Sequence, residues 1–198
     1  MVKALARAVD PADTVILFAD LQPALVGNSR TNPPAMIGAG AAALADAAEL
    51  LGWPLLFSVV PEDGGPATPL PELASRATED RVFTRRCASP FGDDALVAAL
   101  EATGRQTILL AAYSAEAVVQ FAALDAIERG YRVVVALDAC GARSDRTETA
   151  ALRRIEGAGV IVTSVADILM TASPDFAAPP GKNVFAIVHR LMGIRIED

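Results

Sequence analysis

The sequence predicts a single α/β domain, a doubly wound, mainly parallel six-stranded sheet with helices on both faces. Three observations carry that expectation. Five short apolar runs, rich in β-branched residues and too short for helices, recur along the 198-residue chain. Segments of helical length lie between them, most closing near a glycine. The 53% hydrophobic content is spread over residues 1–198 with no repeat or low-complexity linker, which suits one sizeable core.

Taken in order, Thr14–Ala19 is the first strand, and its near-continuous apolar character is how a strand covered on both faces reads. Pro34–Leu51 is an alanine-rich helix stopped by Gly52 ahead of Trp53-Pro54. Leu55–Val60 is the next strand, followed by a Pro/Gly-rich loop, Pro61–Pro71, and a weaker strand candidate, Arg81–Arg85. Asp93–Ala102 reads as a helix closed at Gly104, Thr107–Ala112 as a strand, and Ala115–Glu128 as a helix closed at Gly130. The strand Arg132–Leu137 and the helix Thr147–Glu156 follow, with Arg153 and Arg154 in the last turn, where cations suit the helix dipole. Val160–Ser164 is the last strand; beyond the loop Ser173–Gly181, Asn183–Met192 is a short final helix. Alternation of this kind implies right-handed crossovers.

Composition narrows the function classes. A net charge of -7 argues against a nucleic-acid partner, which needs clustered Lys and Arg. Two cysteines, Cys87 and Cys140, are too few for a disulfide framework. The opening MVKALARAVDPADT places an acidic, proline-containing stretch where a secretory leader needs an apolar core. The apolar runs fall short of a membrane span, so a cytoplasmic protein with no membrane partner is expected. The mean hydropathy of +0.37 is high for a monomer and suggests a homo-oligomer.

In a doubly wound sheet the ligand lies beyond the carboxyl ends of the strands. That rule selects Asp20 after the first strand, Arg85 after the weak one, and Tyr113–Val118 after the central one.

These places carry a family likeness. The run VILFADLQPALV resembles the opening strand of the isochorismatase-like, or cysteine hydrolase, superfamily. Its centre is similar to the stretch from Arg81 to Ser144, above all Ala123–Ala126, Gly130-Tyr131 and Asp138-Ala139. The likeness extends to Ala150–Leu169 and so covers most of the chain. It implies an Asp, a Lys and a nucleophilic Cys. The Asp falls on Asp20, the Lys position on Arg85 and the Cys position on Val118, while the preceding glycine becomes Ala112. In the family the Asp takes the thiol proton, the Lys favours the thiolate, and the thiolate attacks a carbonyl. Backbone N–H groups opening the next helix stabilise the oxyanion. Val118 has no nucleophilic atom, and the two lysines, Lys3 and Lys182, are remote in sequence. The family's thiol amidase route is therefore expected to be absent.

Each candidate has a plainer alternative. Asp20 at a strand end can simply cap a turn. Arg85 can be a surface cation, or it can pair with Asp20 or clamp a carboxylate two-pronged. Cys87, two residues on, is read mainly as a small buried apolar residue and secondarily as a displaced nucleophile. Cys140 is expected to pack the sheet, and Glu116 to complement its helix dipole. Phe91, Tyr113, Ser114 and Val118 are candidate substrate-binding walls, and His189 a surface residue of the last helix. With one histidine and no Asp-x-His stretch in Val60–Gly65, neither metal nor cofactor is expected.

Two functions follow. One is an isochorismatase-like hydrolase without the thiol, with Asp20 as acid or base and Arg85 holding a small carboxylate or amide. True isochorismatases, by resemblance, cleave a vinyl ether with the strand-end Asp as general acid and lack the Cys. The alternative is an inactive binder or scaffold of the same fold. An acid needs apolar surroundings, whereas a paired arginine favours the ionised form. Where Arg85 points decides between them.

Overall fold

The computed structural model describes residues 9–62 and 67–193. Lys3 with the rest of residues 1–8, and Asp63–Gly65 of the loop, lie outside the described residues.

Six strands form one sheet: β1 (Thr14–Ala19), β2 (Leu55–Val59), β3 (Val82–Thr84), β4 (Thr107–Ala112), β5 (Arg132–Ala136) and β6 (Ile161–Thr163). Their order is β3-β2-β1-β4-β5-β6, and every pairing is parallel. Each strand is one to two residues shorter than its apolar run, except β1 and β4, which match theirs. Those two are the central pair, in register from Thr14–Thr107 to Ala19–Ala112. They are wholly buried because neighbouring strands and both helical layers cover them.

The helices are α1 (Pro23–Val26), α2 (Pro34–Leu51), α3 (Asp94–Ala102), α4 (Gln120–Glu128), α5 (Asp145–Gly157), α6 (Val165–Ala172) and α7 (Gly181–Met192). A wide, π-type turn, Ala115–Val119, leads into α4. The sheet's two faces are read directly in β1. Ile16 and Phe18 join the core formed with α2, α6 and α7, while Val15, Leu17 and Ala19 join the one formed with α3, α4 and α5. Side-chain caps start three helices: Asp93 for α3, Ser144 for α5 and Ser164 for α6. Gly52 and Gly130, at φ +69° and +87°, adopt the left-handed turn that ends α2 and α4. α2 is long and apolar enough to cross a membrane by composition, at hydropathy 1.3, yet half of it is buried inside this fold.

The strand order reverses between β1 and β4. A crevice therefore opens at their carboxyl ends, because the crossovers leave those two strands in opposite directions. Asp20 and Tyr113 are the residues that leave the sheet there.

Candidate active site

The backbone at the crest is fixed first. Beyond the strand ends the ladders continue for one more residue: Asp20 N donates to Ser58 O at 2.9 Å, Arg85 N to Val59 O at 3.0 Å and Tyr113 N to Ala19 O at 3.1 Å. Asp20 sits at φ 56°, a left-handed conformation uncommon outside glycine but more accessible to Asp. The Tyr113-Ser114 peptide bond is cis.

On this frame Arg85 grips Asp20. Nη1 donates to Oδ1 at 2.5 Å and Nη2 to Oδ2 at 2.8 Å, a two-pronged pair. Nη1 also donates to Ser58 Oγ at 3.1 Å, and Nη2 reaches Ala88 O at 3.4 Å. Both partners are buried, Arg85 to 3% and Asp20 to 8% exposure. In that surrounding an unpaired charge costs several kcal/mol, so the two ions must be kept together. The arrangement with Arg85 outward and apolar walls around Asp20 is not the one adopted.

A cavity of ≈270 Å³ opens beside the pair, walled by Asp20, Arg85, Cys87, Tyr113, Ser114 and Val118, among others. Five of the six sequence candidates thus meet in one place. Phe91 does not. It lies in the tight turn Pro90–Gly92, buried against Tyr131 with Arg129 over its ring at 5.6 Å. The expectation of a pocket wall there is corrected: the chain turns away from the crest after Cys87 and delivers the ring to the α4 layer.

Cys87 also departs from its main reading. It is exposed, not a buried apolar filler, because β3 ends at Thr84 and the period-two facing argument stops with it. Its Sγ donates to Ser89 O at 3.3 Å. Cys140 is buried; its Sγ accepts from Ala112 N at 3.3 Å, and burial pushes its thiol up to about 12. Glu116 Oε1 accepts from Arg143 N at 2.9 Å, which fits its structural reading. His189 is exposed in the last turn of α7.

Three buried polar atoms have no partner among the described residues: Arg85 Nε, Tyr113 Oη and Glu116 Oε2. Two of them belong to pocket walls. Burial raises Tyr113 above the usual phenol range, Arg143 partly opposing it, so Tyr113 stays a donor. Among the described residues no group of three or more His, Cys, Asp or Glu is placed to hold a metal.

Two supports were not anticipated. Gln22, fully buried, donates to Val60 O at 3.1 Å and Glu62 Oε1 at 2.6 Å and accepts from Val60 N at 2.9 Å. It ties the β1 exit to the β2 exit. Ser58, also fully buried, holds Arg85. The signal for both was a polar residue inside or just after an apolar run.

Comparison with known proteins decides the family. The isochorismatase domain profile matches residues 14–167. The chain belongs to the isochorismatase family. It is similar to the probable hydrolase YcaC of Escherichia coli, 29% identical over 76% of this chain and 73% of that protein. Mouse isochorismatase domain-containing protein 2A is 29% identical, covering 90% of this chain and 84% of its own length. The crystal structure of E. coli YcaC, described as an octameric hydrolase of unknown specificity, superposes with a TM-score of 0.84 at 26% identity. It covers 96% of this chain and 91% of its own. YcaC from Pseudomonas aeruginosa, seen with hexane-2,5-diol and covalent acrylamide, gives 0.84 at 25%, covering 96% and 92%. The isochorismatase-type sheet is therefore the fold of this chain.

Proposed function

We propose that this isochorismatase-family chain is a small-molecule hydrolase in which Asp20, held by Arg85, works as a base rather than an acid. The two-pronged Arg85–Asp20 pair carries the reading. Both oxygens of Asp20 accept bonds from Arg85, so the carboxyl group is engaged as an acceptor on each side. Vinyl-ether cleavage by a protonated Asp20 is disfavoured on the same ground. Val118 supplies no sulfur at the start of the helix, so the family amidase route through that position is absent.

The pair also selects the ligand. Both terminal nitrogens of Arg85 are committed to Asp20, which leaves no two-pronged guanidinium face for a carboxylate. Tyr113, whose buried O–H has no partner among the described residues, also lines the cavity and brings a neutral donor to it. A neutral amide or ester is therefore the expected class in preference to a carboxylate. The small neutral molecules seen with the P. aeruginosa relative agree with that class. We also infer self-association, supported by the exposed Phe176 and Met192 and by the octameric E. coli relative.

Benzamide and benzoate, matched in shape, test the ligand class by thermal shift. Benzamide is expected to raise the melting temperature and benzoate to leave it unchanged; the reverse would overturn the assignment. A panel of small amides and esters followed for hydrolysis tests the reaction. The alternative, an inactive binder, is favoured by the loss of the nucleophile at Val118. It predicts the same thermal shifts with no member of the panel turned over.

A further inference from the structure

We propose that the face formed by α2 and α7 is where two copies of this chain meet. The inference rests on the self-association proposed above and names its surface.

The outer side of α2 carries it. Residues 34–45 of that helix hold no charged side chain, in a chain that is 21% charged. Only half of the helix is buried within the fold. Ala35 is exposed and Ala39 and Ala42 are half-buried, so an apolar stripe at helical spacing looks outward. A helix lying on a surface keeps its polar residues on the outer side, whereas one that is apolar all round is covered. Beside the stripe a cavity of ≈270 Å³ opens between α2 and α7. Its walls are Ala39, Ala42, Ile187 and Leu191 together with the Asp46–Arg190 ion pair. Met192, at the end of α7, is 75% exposed and extends the same apolar surface.

Charge selects the occupant. The ionisable side chains of α2 are acids only, Asp46 and Glu49, and those of α7 are bases only, Lys182, His189 and Arg190. The side chains of Glu49 and Arg190 remain 61% and 67% exposed although each has a partner within the chain. A two-fold axis between the helices lays α7 of one copy over α2 of the other, bases over acids. Stacking α2 on α2 would set like charges together. A membrane surface suits the face less: helices that lie on one carry Lys and Arg, and α2 has neither, in a chain of net charge -7. The 18 residues of α2 span about 27 Å. With α7 alongside, the face offers about 500 Å² per copy, so a pair buries about 1,000 Å², the lower bound for a specific interface.

Sedimentation velocity of the full chain across a range of concentrations reads the assembly. Ala42→Arg sets a charge on the cavity wall, and Met192→Glu sets an acid on the basic helix. Met192 is exposed enough for its replacement to leave the fold intact, and circular dichroism checks both variants. Each is expected to raise the dissociation constant of self-association by about tenfold or more. Phe121→Glu, on α4 across the sheet, is the control and is expected to leave that constant unchanged. Assembly lost in Phe121→Glu but kept in Ala42→Arg and Met192→Glu would overturn the proposal while self-association stands. A monomeric wild type would overturn both. A monomer that pellets with anionic phospholipid vesicles, and no longer does so as Met192→Glu, would make this a membrane-binding face and sink the proposal as well.

Discussion

The wall of the pocket built by β1, β2 and β3 carries a buried ion pair, a serine that braces it and an exposed thiol. The facing wall, where the π-type turn leads into α4, presents Ala117 and Val118. One side keeps charge at the cost of desolvation; the other is ordinary packing. The difference is one of energetic constraint. The groups anchored by several bonds to the sheet cannot be removed singly without leaving a charge stranded.

Truncating each wall gives the widest contrast. Arg85→Ala strands Asp20 and is expected to cost about 3–5 kcal/mol in chemical denaturation. The double replacement Asp20→Leu with Arg85→Met should recover most of that loss; no recovery would mean that the pair is not the source. Gln22→Ala, which cuts the tie between the β1 and β2 exits, is expected to cost about 1–3 kcal/mol. Val118→Ala, on the packing wall, removes two buried methyls and should cost about 2 kcal/mol. A Val118 loss as large as that of Arg85 would erase the contrast drawn here.

The two cysteines sharpen it further. Burial raises the Cys140 thiol from 9.0 to about 12, so its protonated form is favoured in the fold. That contribution is fully present below the ordinary thiol value and is lost as pH climbs through about 12. Melting temperatures against pH should therefore fall less steeply at the alkaline end in Cys140→Ala. In the native protein at neutral pH, iodoacetamide should label Cys87 and spare Cys140, as peptide mapping would reveal.

Much of this was legible in the sequence. Strands covered on both faces are continuous apolar runs, and the crossover rule places Asp20, Arg85 and Val118 together before any coordinates. α1 and α6 were not anticipated. α1 has only four residues, and Val165–Ala172 follows β6 after a single residue, so the two apolar stretches merge. Phe91 and Cys87 were misplaced for a shared reason: β3 is three residues long, and periodicity says nothing about the turns beyond it. Gln22 and Ser58 stood out only as polar residues in or just after apolar runs; their partners, 38 and 27 residues away, could not be read locally.

The central claim is the proposal that Asp20 acts on substrate as a base, and Asp20→Asn tests it most directly. The variant keeps the side chain's shape and one of the two Arg85 bonds but removes the carboxylate, so its fold is checked by melting temperature before the kinetics are read. With a substrate from the hydrolysis panel, kcat is expected to drop roughly 10²–10⁴-fold while the benzamide dissociation constant stays within a few-fold of wild type. An unchanged kcat in the folded variant would contradict the account.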